Sequence, residues 1–195
     1  MRPTLVLGLC CILLFALQAA DQTSVRNPRY TADGQLVRPT DYREWIFLSS
    51  GLGMTYGNRP ARANDPRFTN VFVEPSAYRE FTKTGQWPDK SMFILEIRSS
   101  TSQGSINKDG HFQNEVVAIE ASVKDESRFK QKWAYIDFSA GGTLHDSAKP
   151  FEADSSCNSC HAKNGAVDNT FVQFYPTLLE VAKAKSILKA AAADH

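Results

Sequence analysis

Met92-Phe93-Ile94-Leu95-Glu96-Ile97-Arg98 decides the fold. Phe93, Leu95 and Ile97 fall on one side of an extended chain, and Glu96 and Arg98 on the other. That period of two belongs to a β-strand. Residues 116–123 repeat it, with Val117, Ile119, Ala121 and Val123 on one side and Glu120 and Ser122 on the other. Between the two runs lies Asp109-Gly110, a hairpin signal, so the runs are expected to pair antiparallel. Working outward, residues 68–73 and 133–138 read as two further strands.

Pro75 suits a first helical turn, with Tyr78 and Phe81 on one face and Gly85 as the stop. Residues 125–132 are expected to form a short helix. So is the segment Asp41, Tyr42, Glu44, Trp45, capped by Thr40. Residues 51–66, rich in Gly, Asn, Pro and Asp, read as a long surface loop bordering a site. Residues 176–193 are strong helix formers. The sum is an α+β fold: mainly an antiparallel β-sheet with flanking helices, and a cysteine motif near the C-terminus.

The ends and the composition bound the rest. Arg2, the apolar run at residues 5–17 and the small residues Ala19 and Ala20 form a secretory signal peptide pattern over residues 1–20. Cleavage is expected after Ala19 or Ala20, which makes the protein exported and periplasmic. Residues 21–36 read as a polar lead-in, and residues 37–195 as one domain. The formal net charge is +1, which offers no basic field for nucleic acid. No long apolar stretch follows residue 20, so no membrane association is expected after processing.

Cys10 and Cys11 fall inside the leader, leaving Cys157 and Cys160. With the next residue they spell Cys157-Asn158-Ser159-Cys160-His161, the C-x-x-C-H signature of covalently attached c-type haem. Two thiols add across the two vinyl groups of one porphyrin edge, and the adjacent His161 supplies the proximal imidazole to iron. A structural zinc site would need a second Cys or His pair at ligand spacing, and none follows. A thioredoxin-like pair would follow a strand in a βαβ unit.

No Met lies after His161. Met54, Met92, His111, His145 and the terminal His195 are the other conceivable axial ligands, and none stands out. The expected iron is therefore five-coordinate, with a face open to nitric oxide, carbon monoxide or a small nitrogen substrate. Phe68, Phe72, Phe93, Phe112 and Phe138 lie on expected strands, and most should be core.

Several pieces together resemble the cytochrome P-460 family, which includes the β-type cytochromes c′. They are Asp41-Tyr42-Arg43-Glu44-Trp45, Val71-Phe72-Val73-Glu74-Pro75-Ser76-Ala77-Tyr78, and Lys83-Thr84-Gly85-Gln86-Trp87-Pro88-Asp89. Glu120-Ala121-Ser122-Val123-Lys124-Asp125, Arg128-Phe129 and Trp133-Ala134-Tyr135 follow. The haem motif with Ala166-Val167-Asp168, Phe171 and Phe174-Tyr175-Pro176 completes the order.

The resemblance implies a largely antiparallel fold, a homodimer, and five-coordinate haem on His161. It also implies one of two activities. Members that oxidise hydroxylamine carry an extra bond from a lysine to the haem, whereas the β-type cytochromes c′ lack it and bind nitric oxide in an apolar pocket. The lysine position corresponds to Leu95, and residues 92–97 contain no Lys; Lys90 and Lys108 flank the strand. The leading expectation is thus a periplasmic mono-haem c cytochrome binding nitric oxide or a related small ligand, with a possible periplasmic redox partner. The alternatives are a hydroxylamine-oxidising enzyme and a six-coordinate electron carrier.

Overall fold

A computed structural model describes residues 27–56 and 65–190 of the chain. The leader reading over residues 1–20 and the candidate ligand His195 lie outside the described residues. Among the described residues no helix is long and apolar enough to cross a membrane.

The architecture is α+β. Strands β2 (Ile46–Leu52), β3 (Phe68–Val73), β4 (Met92–Thr101), β5 (Phe112–Lys124) and β6 (Trp133–Asp137) form one sheet in that spatial order. Every neighbouring pair is antiparallel. Helix α1 (Pro75–Thr84) joins β3 to β4, while α2 (Ser156–Asn164) and α3 (Pro176–Ala184) follow the sheet. A two-stranded ladder pairs β1 (Leu36–Val37) with β7 (Ser147–Ala148).

Both faces of the sheet are covered. On one, Phe93, Val73, Trp133 and Tyr135 pack with Phe81 and Trp87 and with Leu178 of α3. On the other, Met92, Ile94, Ile119, Ala121, Val123, Ala134, Ile136 and Phe138 pack with Leu36, Tyr42 and Trp45. Each large side chain buried this fully contributes about 1.5–3 kcal/mol. Two-sided burial explains why the β4 run is apolar at consecutive positions rather than strictly alternating.

Ahead of the five-stranded sheet, Tyr30 bridges Leu36, and Leu36 is fully buried. The structure departs from the sequence reading in several places. The Thr40-capped helix is a single 3-10 turn at Tyr42–Glu44, since Trp45 already turns to extended backbone ahead of β2. Strand β2 runs through Gly51 and Leu52, pairing them with Thr69 and Phe68, so the long loop is shorter than expected. Residues 125–132 form turns instead of a helix, because the Asp125 side chain accepts from Ser127 Oγ and Arg128 N and closes the chain on itself.

Val117 also changes sides. The β4–β5 register slips beside Arg98, with Ile97 opposite Ala118 and Arg98 opposite Val116. The extra residue turns Val117 away from the Ile119–Ala121–Val123 row. Helix α3 ends at Ala184, well before residue 193.

Candidate functional site

Helix α2 carries the cysteine motif. Ser155 caps it, its hydroxyl accepting from Asn158 N at 3.4 Å and from Asn158 Nδ2 at 3.0 Å, and Asn158 Nδ2 also donates to the Glu152 carbonyl at 3.0 Å. Cys157, Cys160 and His161 stand three and four residues apart on the helix, so they share one face. All three line a cavity of about 740 Å³ beneath the sheet, and the two cysteines are not joined in a disulfide. That volume lies within the usual range for ligand pockets.

The cavity wall is the Phe93-Leu95-Ile97 face of β4, continued by Val71 on β3 and Glu120 on β5. Leu95 is the cross-strand partner of both Val71 and Glu120. Tyr56, Tyr135, Phe171 and Phe174 complete an aromatic, largely apolar lining. Among the described lining residues Glu120 is the one acid and Arg67 the one Lys or Arg.

His161 is oriented by contacts within the chain. Its Nδ1 lies 2.9 Å from the Asn169 carbonyl, which can only accept, so Nδ1 carries the proton and Nε2 keeps its lone pair. Its ring lies 4.0 Å from that of Tyr135 and 4.4 Å from that of Phe171. Burial holds its pKa below the ordinary 6.5, more than the contact to Asn169 raises it. Burial thus favours the neutral imidazole, the form that binds a metal. The Cys157 thiol is pushed up by burial and by the charge of Glu120.

These residues fit covalently attached haem. They offer two thiols on one helix face, a neutral imidazole with Nε2 available, and an apolar cavity of sufficient size. They do not fit a lone metal ion: among the described residues no three His, Cys, Asp or Glu side chains converge on one point.

The other candidate ligands are dispersed. Met54 lines the cavity, whereas Met92 is buried in the opposite core. His111 and His145 are exposed, His145 Nε2 lying 3.1 Å from the Ala140 carbonyl. Of the five phenylalanines only Phe93 reaches the cavity; Phe72 and Phe138 belong to the opposite core. Lys90 is engaged by Asp125 and by Ser127, and Lys108 sits in the β4–β5 turn. Every lysine of the chain falls within the described residues, and none lines the cavity.

Sequence reasoning missed Glu120, Tyr56 and the Asn169 carbonyl as site groups. The alternation of β5 did put Glu120 opposite its apolar row; a sheet covered on both faces turns that side into a cavity wall. The carbonyl has no side-chain signature at all.

This combination defines a class: a c-type haem motif on a helix closing one face of an antiparallel sheet. The chain belongs to the cytochrome P460 family, whose sequence profile matches residues 39–172. That span takes in the whole five-stranded sheet and the haem motif. Membership implies a haem c protein. No curated protein matches the chain.

Proposed function

We propose that this protein is a periplasmic mono-haem c cytochrome that binds nitric oxide or a related small nitrogen ligand at five-coordinate iron. Cys157 and Cys160 would hold the haem through thioethers, and His161 Nε2 would ligate its iron. Haem, when bound, would supply an iron able to take up a small ligand. The chain's own residues do the rest. Asn169 keeps the proton on Nδ1, Tyr135 and Phe171 hold the imidazole plane, and the Val71, Leu95 and Ile97 wall keeps water scarce.

The observation that carries this reading is Leu95 on the cavity wall, with no lysine lining the cavity. An apolar wall stabilises a neutral diatomic ligand without giving it a proton. The spectrum of the purified ferrous protein, with and without nitric oxide, is the test. A high-spin five-coordinate iron that converts on adding nitric oxide supports the reading. A sharp low-spin spectrum without added ligand overturns it in favour of a six-coordinate electron carrier, for which Met54 is the lining residue available.

Glu120 favours a second reading, oxidation of hydroxylamine, because its carboxyl gives an N–H or O–H substrate a hydrogen-bond partner in the cavity. That enzyme would carry a third covalent attachment. Mass spectrometry showing haem bonded to a lysine-bearing peptide would decide for it. The homodimer and the redox partner implied by the resemblance are tested by the mass of the protein in solution and by electron transfer assays.

A further inference from the structure

Two consecutive residues beyond α2 occupy the left-handed region, Asp168 at φ 43° and Asn169 at φ 59°. Such backbone costs about 1–2 kcal/mol for a residue with a side chain, although Asp and Asn tolerate it best. It persists only where the surroundings impose it.

The surroundings are specific. The Asp168 carboxylate accepts from Lys124 Nζ at 2.9 Å and from the Trp133 indole N–H at 3.2 Å. Lys124 is itself buried near the end of β5, where Nζ also donates to the Trp87 carbonyl at 2.8 Å. Thr170 N donates back to the Val167 carbonyl at 2.8 Å and closes the turn. The carbonyl between, that of Asn169, accepts from His161 Nδ1 at 2.9 Å and from the Tyr135 hydroxyl at 3.4 Å. An ion pair anchored in the sheet thus fixes, one peptide away, the oxygen that faces the imidazole.

We propose that Asp168 is a positioning residue: clamped by Lys124 and Trp133, it holds the Asn169 carbonyl against Nδ1 of His161 and so sets how strongly that imidazole donates to iron. This rests on the reading of His161 as the haem ligand. A carbonyl accepting from Nδ1–H makes the ring a stronger donor, which stabilises ferric over ferrous iron. Loosening the clamp weakens the donor.

The test compares Asp168→Ala, Asp168→Asn and Lys124→Met in the full haem-loaded chain, with covalent loading confirmed by mass and by the pyridine haemochrome spectrum. The readouts are the ferrous iron–histidine stretching frequency and the midpoint potential. In Asp168→Ala the stretching frequency falls and the potential rises. Asp168→Asn keeps an acceptor oxygen and the left-handed preference, so it stays near wild type in stretching frequency. If Asp168→Ala loads no haem, Lys124→Met carries the test, since it leaves a half-solvated Asp168, and it shifts both readouts in the same direction by less.

An unchanged stretching frequency in a loaded Asp168→Ala overturns the proposal, even if the potential moves, because charge alone would then account for it. So does an unchanged Lys124→Met where that variant carries the test. A wild-type chain without covalent haem overturns the haem reading and this proposal with it; loaded variants without the shift overturn this proposal alone.

Discussion

Glu96 and Leu95 are adjacent residues with opposite fates. Leu95 faces the cavity, and Glu96 is 2% exposed beneath the other face. Its carboxylate accepts from Tyr42, from Arg43 Nε at 3.0 Å, from Arg98 Nε at 2.6 Å and from Asn70 Nδ2 at 3.2 Å. Burial alone would raise its pKa, but those hydrogen bonds prevail and lower it from 4.5 to about 2. Glu96→Ala is expected to cost about 3 kcal/mol, between the loss of a charged hydrogen bond and of a fully buried pair. A urea unfolding midpoint measures it.

Gly165 matters for a different reason. A Cβ there would lie 2.7 Å from the Asn169 carbonyl carbon and 2.7 Å from the His161 carbonyl oxygen. Both are backbone atoms, so neither can swing aside. Gly165→Ala is expected to destabilise by about 1–3 kcal/mol through overpacking and to lower the yield of covalently loaded haem, read by the absorbance ratio of haem to protein. An Ala variant that loads haem and unfolds like wild type would refute this.

At the scale of elements, α1 shows how a helix end can be read or missed. Its start is held by Glu74, whose carboxylate accepts from Ser76 N at 2.8 Å and Ala77 N at 3.0 Å. Glu is not among the usual capping residues, so this cap was not legible, though Pro75 was. Glu74→Ala is expected to cost about 1–2 kcal/mol, measured by thermal unfolding, with little change if the cap is solvent-replaced. The helix stop at Gly85, φ 79°, was legible because glycine alone adopts that backbone freely.

Helix α3 ends with the same device on a serine. Ser186 has φ 55°, and Ile187 N donates to the Ala182 carbonyl at 3.1 Å. An alanine-rich tail with no Gly or Pro gives no stop signal, so composition extends the helix too far. The strands were the most readable elements, since short runs rich in β-branched and aromatic residues between turn signals are local features of the chain. The slip at Arg98 was not, because a one-residue bulge leaves no mark in composition.

Across the whole molecule, acid sensitivity follows from the buried carboxylates. Glu96 has a folded pKa near 2 against an ordinary 4.5, so its contribution is fully present above about pH 4.5 and is lost as pH falls toward 2. Asp125 acts with the same sign: burial raises its pKa, but hydrogen bonds from Lys90, Ser127 and Tyr30 lower it further. Unfolding free energy is expected to drop by about 3 kcal/mol across that window from Glu96 alone, by the shift-to-energy relation. Glu96→Gln should flatten the slope. Equal slopes in the two proteins, followed by circular dichroism from pH 6 to pH 2, would contradict the assignment.

The sequence by itself determined the α+β class, the antiparallel pairing, the motif Cys157-Asn158-Ser159-Cys160-His161 and the absence of lysine from the β4 core, because periodicity and spacing are local properties of the chain. Only the tertiary structure decided that Leu95 and Glu120 share one cavity wall, that Glu96 is buried among two arginines, and that the Asn169 carbonyl meets His161. These depend on which strand lies beside which and on the path of a left-handed turn. Contacts between segments tens of residues apart, and contacts made by the backbone, leave no trace in local pattern.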